Sequence, residues 1–146
     1  MSSILSIDLM KKIFKAEYAE LNAIHEYLKK FLKEHHVNEE LLFKTMVFSE
    51  EIMTNISRYA YPENDGINNP IEIDIRIINK KRIVMEISDY GIAFDPLTYH
   101  KPEKKSEVEL GGFGLILVKK ITHKLKYRRE NNRNIITAII TSHDSP

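Results

Sequence analysis

Between residues 71 and 77 the chain reads Ile71-Glu72-Ile73-Asp74-Ile75-Arg76-Ile77, the strict alternation that a strand with one buried face demands. Lys80-Lys81 turns the chain, and Ile83, Met85 and Ile87 alternate again, predicting a second strand antiparallel to the first. Upstream the period changes. From about Glu20 the apolar residues Leu21, Ile24, Leu28, Phe31 and Leu32 recur at three- and four-residue steps with Lys29, Lys30, Lys33 and Glu34 between them, which predicts an amphipathic helix. Its stripe either packs on a sheet or is offered to a second copy or another protein. Asn38 before Glu39-Glu40 has the form of an N-cap with acids in the first turn. The helix it opens carries Leu42, Met46, Met53, Ile56 and Ala60 on one stripe and is expected to stop at Tyr61-Pro62. Residues 63–70 are dense in turn formers.

Near the C-terminus, Leu125-Lys126-Tyr127-Arg128 and the run 135–140 flank the polar turn Glu130-Asn131-Asn132-Arg133-Asn134, a further hairpin. The first dozen residues are weakly patterned, with Lys12-Ile13-Phe14-Lys15 as a short strand. Helices early and strands late predict an α+β two-layer sandwich rather than a doubly wound parallel sheet, with a mixed, mostly antiparallel sheet and helices on one face.

Length and charge narrow the function classes. The 146 residues fit one domain, 1–146, long enough to bury a core without staples. With 22 Lys+Arg against 21 Asp+Glu nothing marks a general nucleic-acid surface. The absence of cysteine excludes disulfides and thiol metal sites, and the six histidines lack ligand spacing on one face. No apolar run approaches the roughly 20 residues that span a bilayer, so a cytoplasmic protein without membrane contact is expected.

Three segments carry candidate chemistry. Glu51 and Asn55 stand four apart on the second helix and share a face, and an asparagine in mid-helix is mildly unfavourable without a partner. Asp89-Tyr90-Gly91-Ile92-Ala93-Phe94-Asp95-Pro96 comes off the end of a strand. It is either an ordinary turn or an acceptor beside a pocket, with Gly91 letting a ligand lie against the backbone. Gly111-Gly112-Phe113-Gly114-Leu115 gathers three of the five glycines and opens onto Ile116-Leu117-Val118-Lys119-Lys120-Ile121. Alone it is either a tight loop before a buried helix or an anion site at a helix start. It matches neither a Walker loop nor G-x-G-x-x-G. The charged stretch 97–110, containing Lys101, Lys104 and Lys105, has the composition of a mobile lid.

Helical Glu51-x-x-x-Asn55, then Asp89-x-Gly91 after a strand, then Gly111-Gly112-x-Gly114-Leu115 before a helix resembles, in this order, the ATP-binding domain of the GHKL superfamily. The resemblance runs from about Phe14 to Ile140. With Asn55-Ile56-Ser57-Arg58-Tyr59-Ala60-Tyr61-Pro62, Gly91 to Pro96 and Tyr127-Arg128-Arg129-Glu130-Asn131, it is greatest to the stand-alone anti-sigma-factor serine/threonine kinases. It implies that Asn55 ligates Mg²⁺ and that Glu51 is the general base. It further implies that Asp89 accepts from the adenine amine of ATP, with Gly91 and Phe94 beside the base and Thr137 behind it. Gly111, Gly112, Phe113, Gly114 and Leu115 would hold the phosphates, and Lys105, or Lys101 or Lys104, would reach the γ-phosphate as the lid closes. The implied partners are a sigma factor and an anti-anti-sigma antagonist, with the stripe of the first helix as a sigma contact or homodimer face, in a role in transcription regulation. An ATP-gated binding module without phosphotransfer is the alternative. The chain departs from the family at Ala93, where many relatives have Gly, and at Tyr59, often His. Asn134-Ile135-Ile136-Thr137 stands where many have a Gly-Thr pair.

Overall fold

The computed structural model describes residues 7–16, 18–61, 69–95 and 112–143. In chain order these form β1 (Ile7–Lys15), α1 (Tyr18–Glu34), α2 (Glu39–Asn55), a π-helical turn (Ile56–Ala60), β2 (Pro70–Ile78), β3 (Arg82–Asp89), α3 (Gly112–Ile121), β4 (Lys124–Glu130) and β5 (Arg133–Thr141). The alternation read in β2 places Ile71, Ile73, Ile75 and Ile77 on one fully buried face, opposite Ile83, Met85 and Ile87 of β3 in antiparallel register. Both hairpins turn on residues at positive φ, Asn79-Lys80 in the three-residue turn between Ile78 and Arg82 and Asn131-Asn132 in the two-residue turn between Glu130 and Arg133, a backbone that asparagine tolerates.

The sheet order is β1-β2-β3-β5-β4, and every pairing among the described strands is antiparallel, not mixed. The crossover through α3 makes β4 run parallel to β3, but β5 inserts between them and pairs antiparallel with both. The helices cover one face. Ile24, Leu28 and Leu32 of α1 are fully buried there, so the centre of the stripe packs into the core, with Leu21 and Phe31 half-buried beside it. Asn38 caps α2 as expected, its Oδ1 accepting from Leu41 N at 2.8 Å.

Strand β1 is longer than the tetrapeptide expected and its polarity is inverted. Register with β2 puts Ile7, Leu9 and Ile13 on the face away from the helices, 51%, 59% and 64% exposed. Asp8, Met10, Lys12 and Phe14 face the helix layer, where the Lys12 ammonium lies 4.0 Å from the Tyr27 ring centre and Phe14 meets Tyr27 edge-on. The opposite edge, β4, carries Lys124, Lys126 and Arg128 on its corresponding face, the charges that usually blunt a free edge.

Candidate functional site

Strand β3 ends on Asp89, which alternation carries to the helix side, opposite Ile71 of β2 and Asn134 of β5. It is 2% exposed. Burial raises its carboxyl above the ordinary value, while the Asn134 amide, the Gly91 N–H and the charge of Arg129 pull the other way. Oδ1 accepts from Gly91 N at 2.8 Å and Asn134 Nδ2 at 2.9 Å. Among the described residues no hydrogen bond reaches Oδ2, leaving a buried acceptor for an incoming N–H.

The segment after Asp89 is held against the end of α2. Ile92 N donates to Ala60 O at 2.9 Å, inside the π-helical turn, a local widening that recurs at functional sites. The Tyr61 hydroxyl accepts from Tyr90 N and donates to Pro70 O, both at 2.8 Å, and burial pushes the phenol up to about 12. The Phe94 ring sits 5.3 Å from that of Tyr59, and Phe94 N donates to Asn134 Oδ1 at 3.1 Å. Gly91 packs so closely that a Cβ there would lie 2.1 Å from the Ala60 carbonyl oxygen. Gly91→Ala is therefore expected to lower stability by about 1–3 kcal/mol, the cost of overpacking against backbone that cannot rotate aside. Urea unfolding checks this, and an unchanged midpoint would mean that the two segments are not in contact.

Further back along α2, Asn55 is 9% exposed and its amide makes no hydrogen bond among the described residues. One turn earlier Glu51 is half-buried. Burial raises its carboxyl above the ordinary value, Glu50 adds to the rise and Arg58 opposes it. The spacing read in the sequence thus becomes a buried amide oxygen beside a carboxylate that takes up a proton more readily than usual. A carboxylate raised by burial has the character of a proton acceptor.

Helix α3 begins at Gly112, so Gly112, Phe113, Gly114 and Leu115 make its first turn rather than a loop ahead of it. The backbone N–H groups at such a start have no partner within the helix and suit an anion. Gly111, Lys101, Lys104, Lys105 and the stretch 97–110 lie outside the described residues.

Thr137 is not where the sequence reading puts it. Strand parity turns it to the face away from the helices, opposite Glu86 and Lys126, with its Oγ1 3.5 Å from Glu86 Oε2. The residue on the Asp89 side is Asn134, 2% exposed. Its Nδ2 donates to Asp89 Oδ1 and, at 2.8 Å, to Ile92 O. Its Oδ1 accepts from Phe94 N, from the Tyr127 hydroxyl at 2.7 Å and from Arg129 at 3.1 Å, and Arg129 also donates to Gly91 O at 3.0 Å. The signal that could have found Asn134 is its position as the last polar residue before the apolar run of β5.

Among the described residues no group of three or more His, Cys, Asp or Glu could hold a metal ion, and no helix is long and apolar enough to cross a membrane.

A five-stranded antiparallel sheet under one helix layer, with a buried acceptor at a strand end tied to the end of the central helix, defines an α+β sandwich. The family described as Histidine kinase-like ATPase domain matches residues 14–140, and the chain belongs to it. Among curated proteins it is similar to the serine/threonine-protein kinase BtrW of Bordetella bronchiseptica, 29% identical over 110 residues that cover 73% of each chain. Among solved structures it resembles the RsbU and RsbW domains of Rv1364c from Mycobacterium tuberculosis, with a TM-score of 0.66 at 10% identity. That match covers 92% of this chain and 32% of the other, so the chain spans about a third of that protein's length, and the likeness is one of fold. The protein is a histidine kinase-like ATPase domain with a serine/threonine-protein kinase among its relatives.

Proposed function

We propose that the protein is a protein serine/threonine kinase that takes the γ-phosphate of ATP to a hydroxyl of an anti-anti-sigma antagonist and binds a sigma factor. The observation that carries this reading is Glu51, a half-buried carboxylate with raised proton affinity, one helical turn from a buried amide that makes no hydrogen bond among the described residues. The kinase name of the Bordetella relative supports it.

In this reading Asp89 Oδ2 accepts from the adenine amine, Gly91 and Phe94 border the base, and Gly111, Gly112, Phe113, Gly114 and Leu115 surround the phosphates, with Lys105 reaching the γ-phosphate. Asn55 holds Mg²⁺ through its amide oxygen. A single neutral oxygen suits this hard ion, which keeps several waters and takes the rest of its shell from phosphate oxygens. The ion supplies charge neutralisation at the phosphates when bound. Glu51 takes the proton of the attacking hydroxyl as its oxygen bonds to the γ-phosphorus and the bond to the bridging β–γ oxygen breaks, releasing ADP.

The test is incubation with labelled ATP, Mg²⁺ and the cognate antagonist, where label is expected on a serine or threonine. ATP bound without turnover, coupled to a change in partner affinity, would make the protein an ATP-gated binding module instead. Asn55→Ala gives an independent check. It is expected to abolish the Mg²⁺ dependence of ATP affinity while leaving helix stability intact, since alanine is the better helix former by a few tenths of a kcal/mol. Retained dependence in a titration with and without the metal would remove Asn55 as the ligand.

A further inference from the structure

We propose that Asn134 determines which purine the pocket takes, by holding Asp89 as a pure hydrogen-bond acceptor that selects a 6-amino over a 6-oxo base. This rests on the reading of Asp89 as the contact to the nucleobase.

The orientation of the Asn134 amide is fixed by its surroundings. Phe94 N and the Arg129 guanidinium have only hydrogens to offer, so the side facing them, at 3.1 Å each, must be Oδ1. The amino group then faces the other way, and its hydrogens are taken by Asp89 Oδ1 and Ile92 O. Every polar capacity of Asn134 is engaged. Its consequence falls on Asp89, whose Oδ1 already receives Gly91 N and Asn134 Nδ2 and has no place for a proton. Any proton on Asp89 therefore sits on Oδ2, the oxygen open to a ligand.

That oxygen decides between bases. Bare, it accepts from an exocyclic amine. Protonated, it donates, which suits a carbonyl at the same position. The two donors on Oδ1 stabilise the bare form against the burial that favours the protonated one. Arg129 of β4 works in the same direction, and Asn134 and Gly91 O hold it there. The other titratable groups near this centre are Tyr127 of β4, a neutral donor to Asn134, Tyr61 after the π-helical turn, and Asp95 of the following loop. None replaces the Asn134 donor.

Asn134→Asp keeps the shape and turns a second carboxyl toward Asp89 Oδ1, where the proton the pair shares takes the place of the Asn134 donor and leaves Oδ2 bare. Asn134→Val removes the donor with a residue that strands accommodate. The experiment measures ATP and inosine triphosphate affinities, with thermal melts to establish folding. Wild type is expected to prefer ATP by about tenfold or more, the size of a hydrogen bond to a charged group. In folded Asn134→Val the preference should shrink to within about threefold, through loss of ATP, whereas Asn134→Asp, with its shared proton on the Oδ1 side, should keep it. A wild type that takes both nucleotides equally, or a folded Asn134→Val that keeps the ratio intact, would overturn the proposal. A wild type that binds neither would overturn the nucleotide reading beneath it.

Discussion

Replacing Glu51 by alanine is expected to lower phosphotransfer by about 10²–10⁴-fold, the range that a positioned general base contributes, while ATP affinity stays near that of the wild type. The separation follows from location. Glu51 lies on α2 one turn before Asn55, whereas Asp89, the proposed contact to the base, lies at the end of β3. The pH profile gives a second readout. Burial raises the Glu51 carboxyl, so the proton that blocks its action as a base is lost at higher pH than for an ordinary glutamate. Turnover should therefore rise with pH through a midpoint above the usual carboxylate range and then level off. Glu51→Gln should lack that limb. Single-turnover transfer from labelled ATP checks both, and an alanine variant as active as the wild type would remove Glu51 from the chemistry.

Asp89→Asn should weaken ATP by about 1.5–3 kcal/mol, roughly tenfold to more than a hundredfold. The replacement keeps the volume but can turn an amino group toward the base amine, setting donor against donor. It also meets Asn134 Nδ2, itself a donor fixed in orientation by Arg129 and Phe94. An asparagine at 89 that turns its oxygen to satisfy Asn134 and Gly91 thus presents its amino group to the ligand. Affinity measured by calorimetry is the check, and an unchanged value would mean that the base lies elsewhere.

The central elements were legible because their periods are clean. Ile71 to Ile77 alternates without exception, and the stripe of α1 repeats at helical steps, so both buried faces could be named before any contact was known. Strand β1 was hidden because Ile7, Leu9 and Ile13 lie on its solvent side, while Lys12 is accommodated under the helices by Tyr27. The π-helical turn continues the apolar pattern of α2 through Ala60, and no residue marks the change of period. At the site, the order and spacing of the three segments brought out Glu51, Asn55 and Asp89 from among polar neighbours such as Glu50, Thr54 and Ser88. Thr137 and Asn134 were not separable in the same way. Strand β5 is apolar on both faces, with Ile135 and Ile136 both buried, so only its register against β3 reveals that Asn134 shares the Asp89 side.

The measurement that tests the central claim most directly is a calorimetric titration of the protein with Mg-ATP. A saturable heat that falls away in Asp89→Asn is expected. No heat at about millimolar nucleotide, where even weak sites fill, would contradict it and leave the family membership as a statement about fold alone.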